Sequence, residues 1–227
     1  MPPAEQLKAL FIDSFCLYKP VNDLGGVFYW LGRTKDNKGI LVGIDCNEKG
    51  VKGALLTMLF VTALKDIIYK KKILIPDNIL AELDKHFQAT EEDKEEIGFN
   101  VSVLVIDNEK KYVTFSGAGQ NMYYQDANDD IEIAEGINGQ IGKGSLDKNY
   151  SSFSGTFEEV KAIYILGSNT AEQISNSARS SSLQAVLDDV SGRPYNEQKE
   201  ELMIHLAESI SGKEQQYDVM IIGAKLT

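Results

Sequence analysis

Apolar and polar positions follow two different periods along this chain. Short apolar runs bounded by turn residues predict strands at residues 26–31, 39–44, 101–107, 111–116, 153–157, 162–166 and 219–224. Polar turns at residues 35–38 and 108–110 separate the first two pairs of runs. Between these pairs the period changes. From Gly53 to about Lys71, apolar residues fall at Leu55, Leu56, Met58, Leu59, Phe60, Val61, Ala63, Leu64, Ile67 and Ile68. This predicts a long helix with more than one apolar face, which is either buried on both sides or offers a face to a partner. Pro76 opens a second helix carrying Ile79, Leu80, Leu83 and Phe87. The charge run at residues 91–96 extends it as a solvated helix or loop. Residues 4–12 predict a short lead-in helix ahead of one domain spanning residues 13–227, and residues 178–193 and 196–211 mix helical and loop patterns.

Composition narrows the function classes. With 227 residues and 43% hydrophobic content, the chain can build one domain around a large core. A net charge of −11 argues against nucleic acid and against anionic membrane surfaces as partners. Cys16 and Cys46 make neither a metal-binding spacing nor a disulfide scaffold. The start lacks a basic segment followed by an apolar one, and the longest apolar stretch, residues 54–64, is too short to span a bilayer. A reducing cytoplasm is the expected compartment. The lysines at residues 70–72 suit the solvated end of a helix.

Several stretches invite a chemical reading and do not carry one. Residues 126–130 (DANDD) lack the glycine and final glutamate of a calcium loop and read as a surface turn. The glycine-rich residues 136–144 lack the Lys-Ser/Thr of a phosphate-binding loop. His86 and His205 lie far apart on helical patterns and read as solvated or core residues. The serines at residues 177–182 read as a flexible connection.

The segment over residues 18–53 is the most informative. Lys19, Pro20, Phe28, Tyr29 and Trp30, then Asp45, Gly50, Gly53 and Ala54, match the pattern Y-K-P-x-D-x-x-S-G-D-F-Y-W, a strand, and D-x-x-G-H-G-x-x-G-A heading a long helix. Further matches follow in order: GFNVSVLVIDNEKKYVTFSGAGQNMYY at residues 98–124, GQIG at 139–142, AIYILGSNTAEQ at 162–173 and QYDVMIIGAKL at 216–226. Together they resemble the protein phosphatase 2C-like family, in its bacterial branch typified by the sporulation stage II protein E phosphatase. The resemblance implies an α/β (α+β) sandwich of two mainly antiparallel sheets flanked by helices. It also implies a site of four aspartates around two Mg2+ or Mn2+ ions.

Those four positions fall here on Val27, Asp45, Ser168 and Tyr217. Cys46 stands where the family has a glycine whose carbonyl faces metal, and Lys49 falls in the family's G-H-G turn. Only Asp45 keeps a carboxylate, so at most a weak cation site is expected there. Two ions about 3.5–4 Å apart need several anionic oxygens to offset their repulsion. Without metals no water is activated, and the family has no protein nucleophile. The resemblance therefore implies a catalytically inactive pseudophosphatase with no cofactor, acting by protein–protein binding in bacterial signalling. Expected partners are a phosphoprotein, an active phosphatase, or a second copy in a homodimer. The alternative is a weak Mg- or Mn-dependent serine/threonine phosphatase recruiting Glu48, Glu172 or Asp218. If Asp218 lies on a strand with Tyr217, its carboxylate is expected on the opposite face.

Overall fold

A computed structural model describes residues 2–22, 25–46, 48, 50–88, 97–144, 148–175, 182–211 and 213–226. Among these residues, ten strands pair antiparallel in two sheets. They are β1 (Asp13–Lys19), β2 (Val27–Arg33), β3 (Gly39–Cys46), β4 (Phe99–Asp107), β5 (Tyr112–Ala118), β6 (Met122–Gln125), β7 (Ile131–Ala134), β8 (Phe153–Thr156), β9 (Ala162–Leu166) and β10 (Val219–Lys225). One sheet has the order β1-β10-β9-β6-β7, the other β2-β3-β4-β5-β8. The helices are α1 (Gly50–Lys65), α2 (Pro76–Gln88), α3 (Thr170–Ser175), α4 (Leu183–Ser191) and α5 (Tyr195–Ser209). This is the expected sandwich of two sheets with helices on the outsides.

Strand alternation sorts the side chains into three cores. Along β3, Leu41 joins the core between the sheets, while Ile40, Val42 and Ile44 join the core under α1 and α2. Tyr164 and Ile221 face the other way, toward α4 and α5. Each sheet is therefore buried on both faces. That explains why β3, β4 and β9 read as nearly continuous apolar runs rather than as alternating ones.

The long helix starts earlier than the residue pattern predicts, at Gly50, where a positive φ of 63° suits glycine. Past Lys65 it widens into a π turn, Asp66–Lys70, and stops at Lys72 with φ 59°. Its two apolar faces have different fates. Leu56, Phe60, Ala63 and Leu64 are buried, whereas Leu55, Met58 and Leu59 are exposed. The lead-in segment is a 3-10 helix over Ala4–Ala9, shorter than the expected 4–12. Leu7, Leu10 and Phe11 pack into the core between the sheets. Ser182 caps α4, its hydroxyl accepting the Ala185 N–H at 3.2 Å. The charge run at 91–96 and the serines at 177–181 lie outside the described residues.

One buried ion pair ties α2 to the sandwich. The Lys148 ammonium donates to both oxygens of Asp84, at 2.8 and 2.9 Å, and to the Gln140 carbonyl at 2.6 Å. The Gly142 N–H and the Gln88 amide also donate to Asp84, at 2.8 and 3.1 Å. Asp84 is only 2% exposed. The glycine-rich loop at residues 136–144 bridges to the ends of β4 and β5 through Ile141 and Ile137. Asp84 thus joins a helix to a loop that caps one sheet.

Candidate functional site

Two strands set the floor of the site. Val27 on β2 and Asp45 on β3 are direct partners in the antiparallel register. Both are 4% exposed, at one end of the core between the sheets. The Cys46 N–H donates to the Gly26 carbonyl at 3.0 Å and closes the strand pair. Space is very tight here. A Cβ on Gly26 would lie 2.4 Å from the Glu48 carbonyl oxygen, and one on Gly53 would lie 2.2 Å from the same atom. Only glycine lets the start of β2, the turn at Glu48 and the first turn of α1 approach this closely.

A third segment closes over the floor. Beyond β9, the Gly167 N–H donates to the Met220 carbonyl at 2.9 Å, and the Met220 N–H donates to the Thr170 hydroxyl at 3.2 Å. This pins the turn into α3 against β10 and sets Ser168 on Asp45. The Ser168 N–H donates to Asp45 Oδ2 at 2.9 Å, and the Ser168 hydroxyl donates to the same oxygen. Burial pushes the Asp45 pKa up from 3.8; the two Ser168 bonds pull it down, and the Asp218 charge raises it again.

Val27, Asp45, Cys46, Glu48, Asn169, Tyr217 and Asp218 line one cavity of about 260 Å³. All five positions named from the sequence therefore meet at one place, Ser168 through its bonds to Asp45. Asp218 departs from expectation. It lies just before β10 begins, so strand alternation does not govern it, and its carboxylate faces the cavity instead of the opposite side. There it accepts the Val21 N–H at 2.8 Å and the Gly26 N–H at 2.9 Å. Glu48 pairs with Lys52 at 3.2 Å. Glu172 borders an adjoining hollow with Gln173 and Tyr217 rather than this cavity. The Cys46 side chain packs into the core under α1, and burial raises its thiol pKa. Lys49 lies outside the described residues. A larger cleft of about 770 Å³ lies elsewhere, between Asp13, Lys161 and Tyr195. Two of its three cations, Lys161 and Arg193, are paired, with Asp129 and with Asp189 and Glu201.

The sequence matches no protein-family model and no curated protein. Solved structures do match. The SiaA-PP2C domain of Pseudomonas aeruginosa superposes with a TM-score of 0.81 at 22% identity, over 97% of this chain and 88% of that one. The RsbU and RsbW domains of Rv1364c from Mycobacterium tuberculosis give 0.70 at 17% identity, over 94% of this chain and 60% of that one. The PP2C phosphatase domain of SpoIIE from Bacillus subtilis, with a fragment of its regulatory domain, gives 0.70 at 12%, over 93% and 62%.

The fold is that of the protein phosphatase 2C-like domains.

The metal pair that this fold implies does not fit the residues present. The position facing Asp45 across the strands is an isopropyl group, which offers no lone pair. One Asp45 oxygen is committed to two Ser168 donors. The Asp218 carboxylate accepts the backbone N–H groups of Val21 and Gly26. Among the described residues, no group of three or more His, Cys, Asp or Glu side chains is placed to hold a metal ion. No helix among them is long and apolar enough to cross a membrane.

Burial of the Asp45 carboxylate has a signature in stability. The raised Asp45 pKa means the folded chain holds this proton to higher pH than the unfolded chain does. The group's contribution is full below its ordinary pKa of 3.8 and is lost as pH rises through the folded value. Asparagine keeps an acceptor for the Ser168 N–H and carries no charge to desolvate. Asp45→Asn is therefore expected to raise Tm at pH 7 and to lose that advantage below pH 3.8, read by thermal unfolding across pH. A lower Tm at pH 7 would contradict this account of the site.

Proposed function

We propose that this chain is a pseudophosphatase: a phosphatase fold without phosphatase chemistry that acts in the bacterial cytoplasm by binding another protein. The reading rests on the bond between Asp45 and Ser168. Two of the four positions that would surround metal are joined to each other, and a third, Val27, is a methyl-bearing wall. The bacterial signalling setting is carried over from the proteins that share the fold. The partner is another signalling protein, either a phosphoprotein that an active phosphatase would also bind or the active phosphatase itself. A homodimer is the remaining form.

One observation favours a second reading, a weak Mg- or Mn-dependent serine/threonine phosphatase. Asp218 lines the cavity with Asp45. Each Asp218 oxygen accepts one backbone N–H, from Val21 or Gly26, and keeps a further lone pair for a cation.

The test is Mn2+ titration by calorimetry beside p-nitrophenyl phosphate turnover on the same sample. The proposal expects neither binding in the millimolar range nor turnover. Two bound ions with metal-dependent turnover would replace it with the second reading.

A further inference from the structure

We infer that the exposed face of α1, with the turn that follows it, docks an amphipathic helix of a partner protein that carries acidic residues beside its apolar stripe. This inference rests on the protein-binding reading above and adds to it the surface and the chemistry of the partner.

The first observation is a stripe. Val51, Leu55, Met58 and Leu59 are between 57% and 67% exposed. Their spacing of i, i+4, i+7 and i+8 places them on one side of α1. Tyr69, on the π turn, is also exposed. The opposite side of the same helix is already filled by Leu56, Phe60, Ala63 and Leu64 in the core. The outer residues therefore contribute little to the fold, yet they hold a row of large apolar side chains in water. Scattered exposed apolar residues are ordinary, but a contiguous row of them marks an interaction site. Beside the row, Leu56, Leu59, Ala63, Ile67 and Phe87 line a groove of about 430 Å³ between α1 and α2, with Lys71 on its rim. A straight row about 12 Å long beside a groove suits a helix, whose own apolar residues recur at the same period.

The second observation is charge. Residues 50–75 hold five lysines, Lys52, Lys65, Lys70, Lys71 and Lys72, against one acid, Asp66. Glu48 and Glu82 also reach this face, paired with Lys52 and Lys71, so five lysines stand against three acids on a molecule whose net charge is −11. Lys70 meets Asp66 within the same exposed patch, a kind of pair worth little in water. A second copy is a poor occupant. An antiparallel pairing would set Lys52 of one copy near Lys65 of the other, and a parallel pairing would set Lys65 on Lys65. An anionic membrane is also a poor occupant, because the rest of the molecule is strongly negative. A helix with acidic flanks matches both the row and the lysines, and opposite charge speeds its encounter and fixes its register.

The test is selection with the full chain from a displayed library of amphipathic helices. The library keeps a leucine stripe and varies the flanking positions among Glu, Gln and Lys. Enrichment of Glu is expected, with binding that weakens as salt rises and falls by about tenfold or more in Leu55→Glu and in Met58→Glu. Both variants change exposed residues and are expected to keep the parent Tm. No enrichment, or enrichment blind to flank charge, overturns the inference. So does a dimer in sedimentation that Leu55→Glu splits, which gives the face to a second copy. So does binding to phosphatidylglycerol vesicles that Leu55→Glu abolishes, which gives it to a membrane. Metal-dependent turnover would remove the pseudophosphatase reading and leave this surface standing; a failed selection would do the reverse.

Discussion

Asp84→Ala is expected to destabilise the fold by about 3–5 kcal/mol, the usual loss when one partner of a buried ion pair is removed. The size follows from what remains. Lys148, whose side chain is 12% exposed, would keep its charge with only the Gln140 carbonyl to meet it. The Gly142 N–H and the Gln88 amide would also lose an acceptor. Urea unfolding measures the loss directly. A double variant, Asp84→Leu with Lys148→Met, is expected to recover most of it, because two apolar groups of similar size leave no stranded charge. A loss below about 1 kcal/mol for Asp84→Ala would mean that water screens the pair, against its burial.

Rebuilding the missing carboxylates is expected to have the second large effect. In EDTA at pH 7, Val27→Asp sets a second carboxylate beside Asp45 in a buried site and is expected to cost several kcal/mol. Adding Ser168→Asp and Tyr217→Asp puts a carboxylate at all four positions the resemblance assigns to metal, beside the native Glu48 and Asp218. That triple variant is expected to be weak in EDTA and to regain stability with Mn2+, by about 2.7 kcal/mol at a hundredfold excess over Kd. The unaltered chain is expected to show no such shift. The readout is Tm against Mn2+ concentration, with Asp45→Asn in the triple background as the control that removes the gain. A triple variant that folds and ignores Mn2+ would show that Val27, Ser168 and Tyr217 are not the ligand positions the resemblance assigns.

The sandwich was legible where burial is heaviest. Residues 162–166 match β9 end for end, and β3, β4 and β10 differ only by a residue or two at their edges, because a strand buried on both faces shows as an unbroken apolar run. Three strands gave no such signal. β6 and β7 are four residues each, too short for a period to establish itself, and β1 carries Asp13, Ser14, Tyr18 and Lys19 along an edge of its sheet. α3 begins inside the matched segment at residues 162–173, where no helical period shows.

The site was legible in its parts and not in its bonds. The motif order located Val27, Asp45, Ser168 and Tyr217, although they lie up to 190 positions apart in the chain. Nothing in the sequence says that the Ser168 hydroxyl turns onto Asp45, since that depends on how the β9–α3 turn is pinned to Met220. Asp218 was misplaced because alternation was extended over Tyr217 and Asp218, two residues ahead of the true start of β10. Gly53 was visible as a motif residue, but the reason it shares with Gly26, the Glu48 carbonyl wedged against both, is purely spatial.

The pairing of β1 with β10 has a consequence for the order of assembly. Asp13 meets Lys225 and Lys19 meets Val219, so the first strand of the chain completes its ladder on the last. The other sheet differs: β2, β3, β4 and β5 are neighbours both in the chain and in space. That sheet can zip up while the polypeptide is still being made. The one holding β1 waits for the final residues, because β10 lies between β1 and β9. Contacts of such long range make for slow closure, and until then two strand edges stand open to wrong partners. β1 thus stays without its ladder until β10, 200 positions further on, has been made, and the closing of this sheet is timed by that late strand.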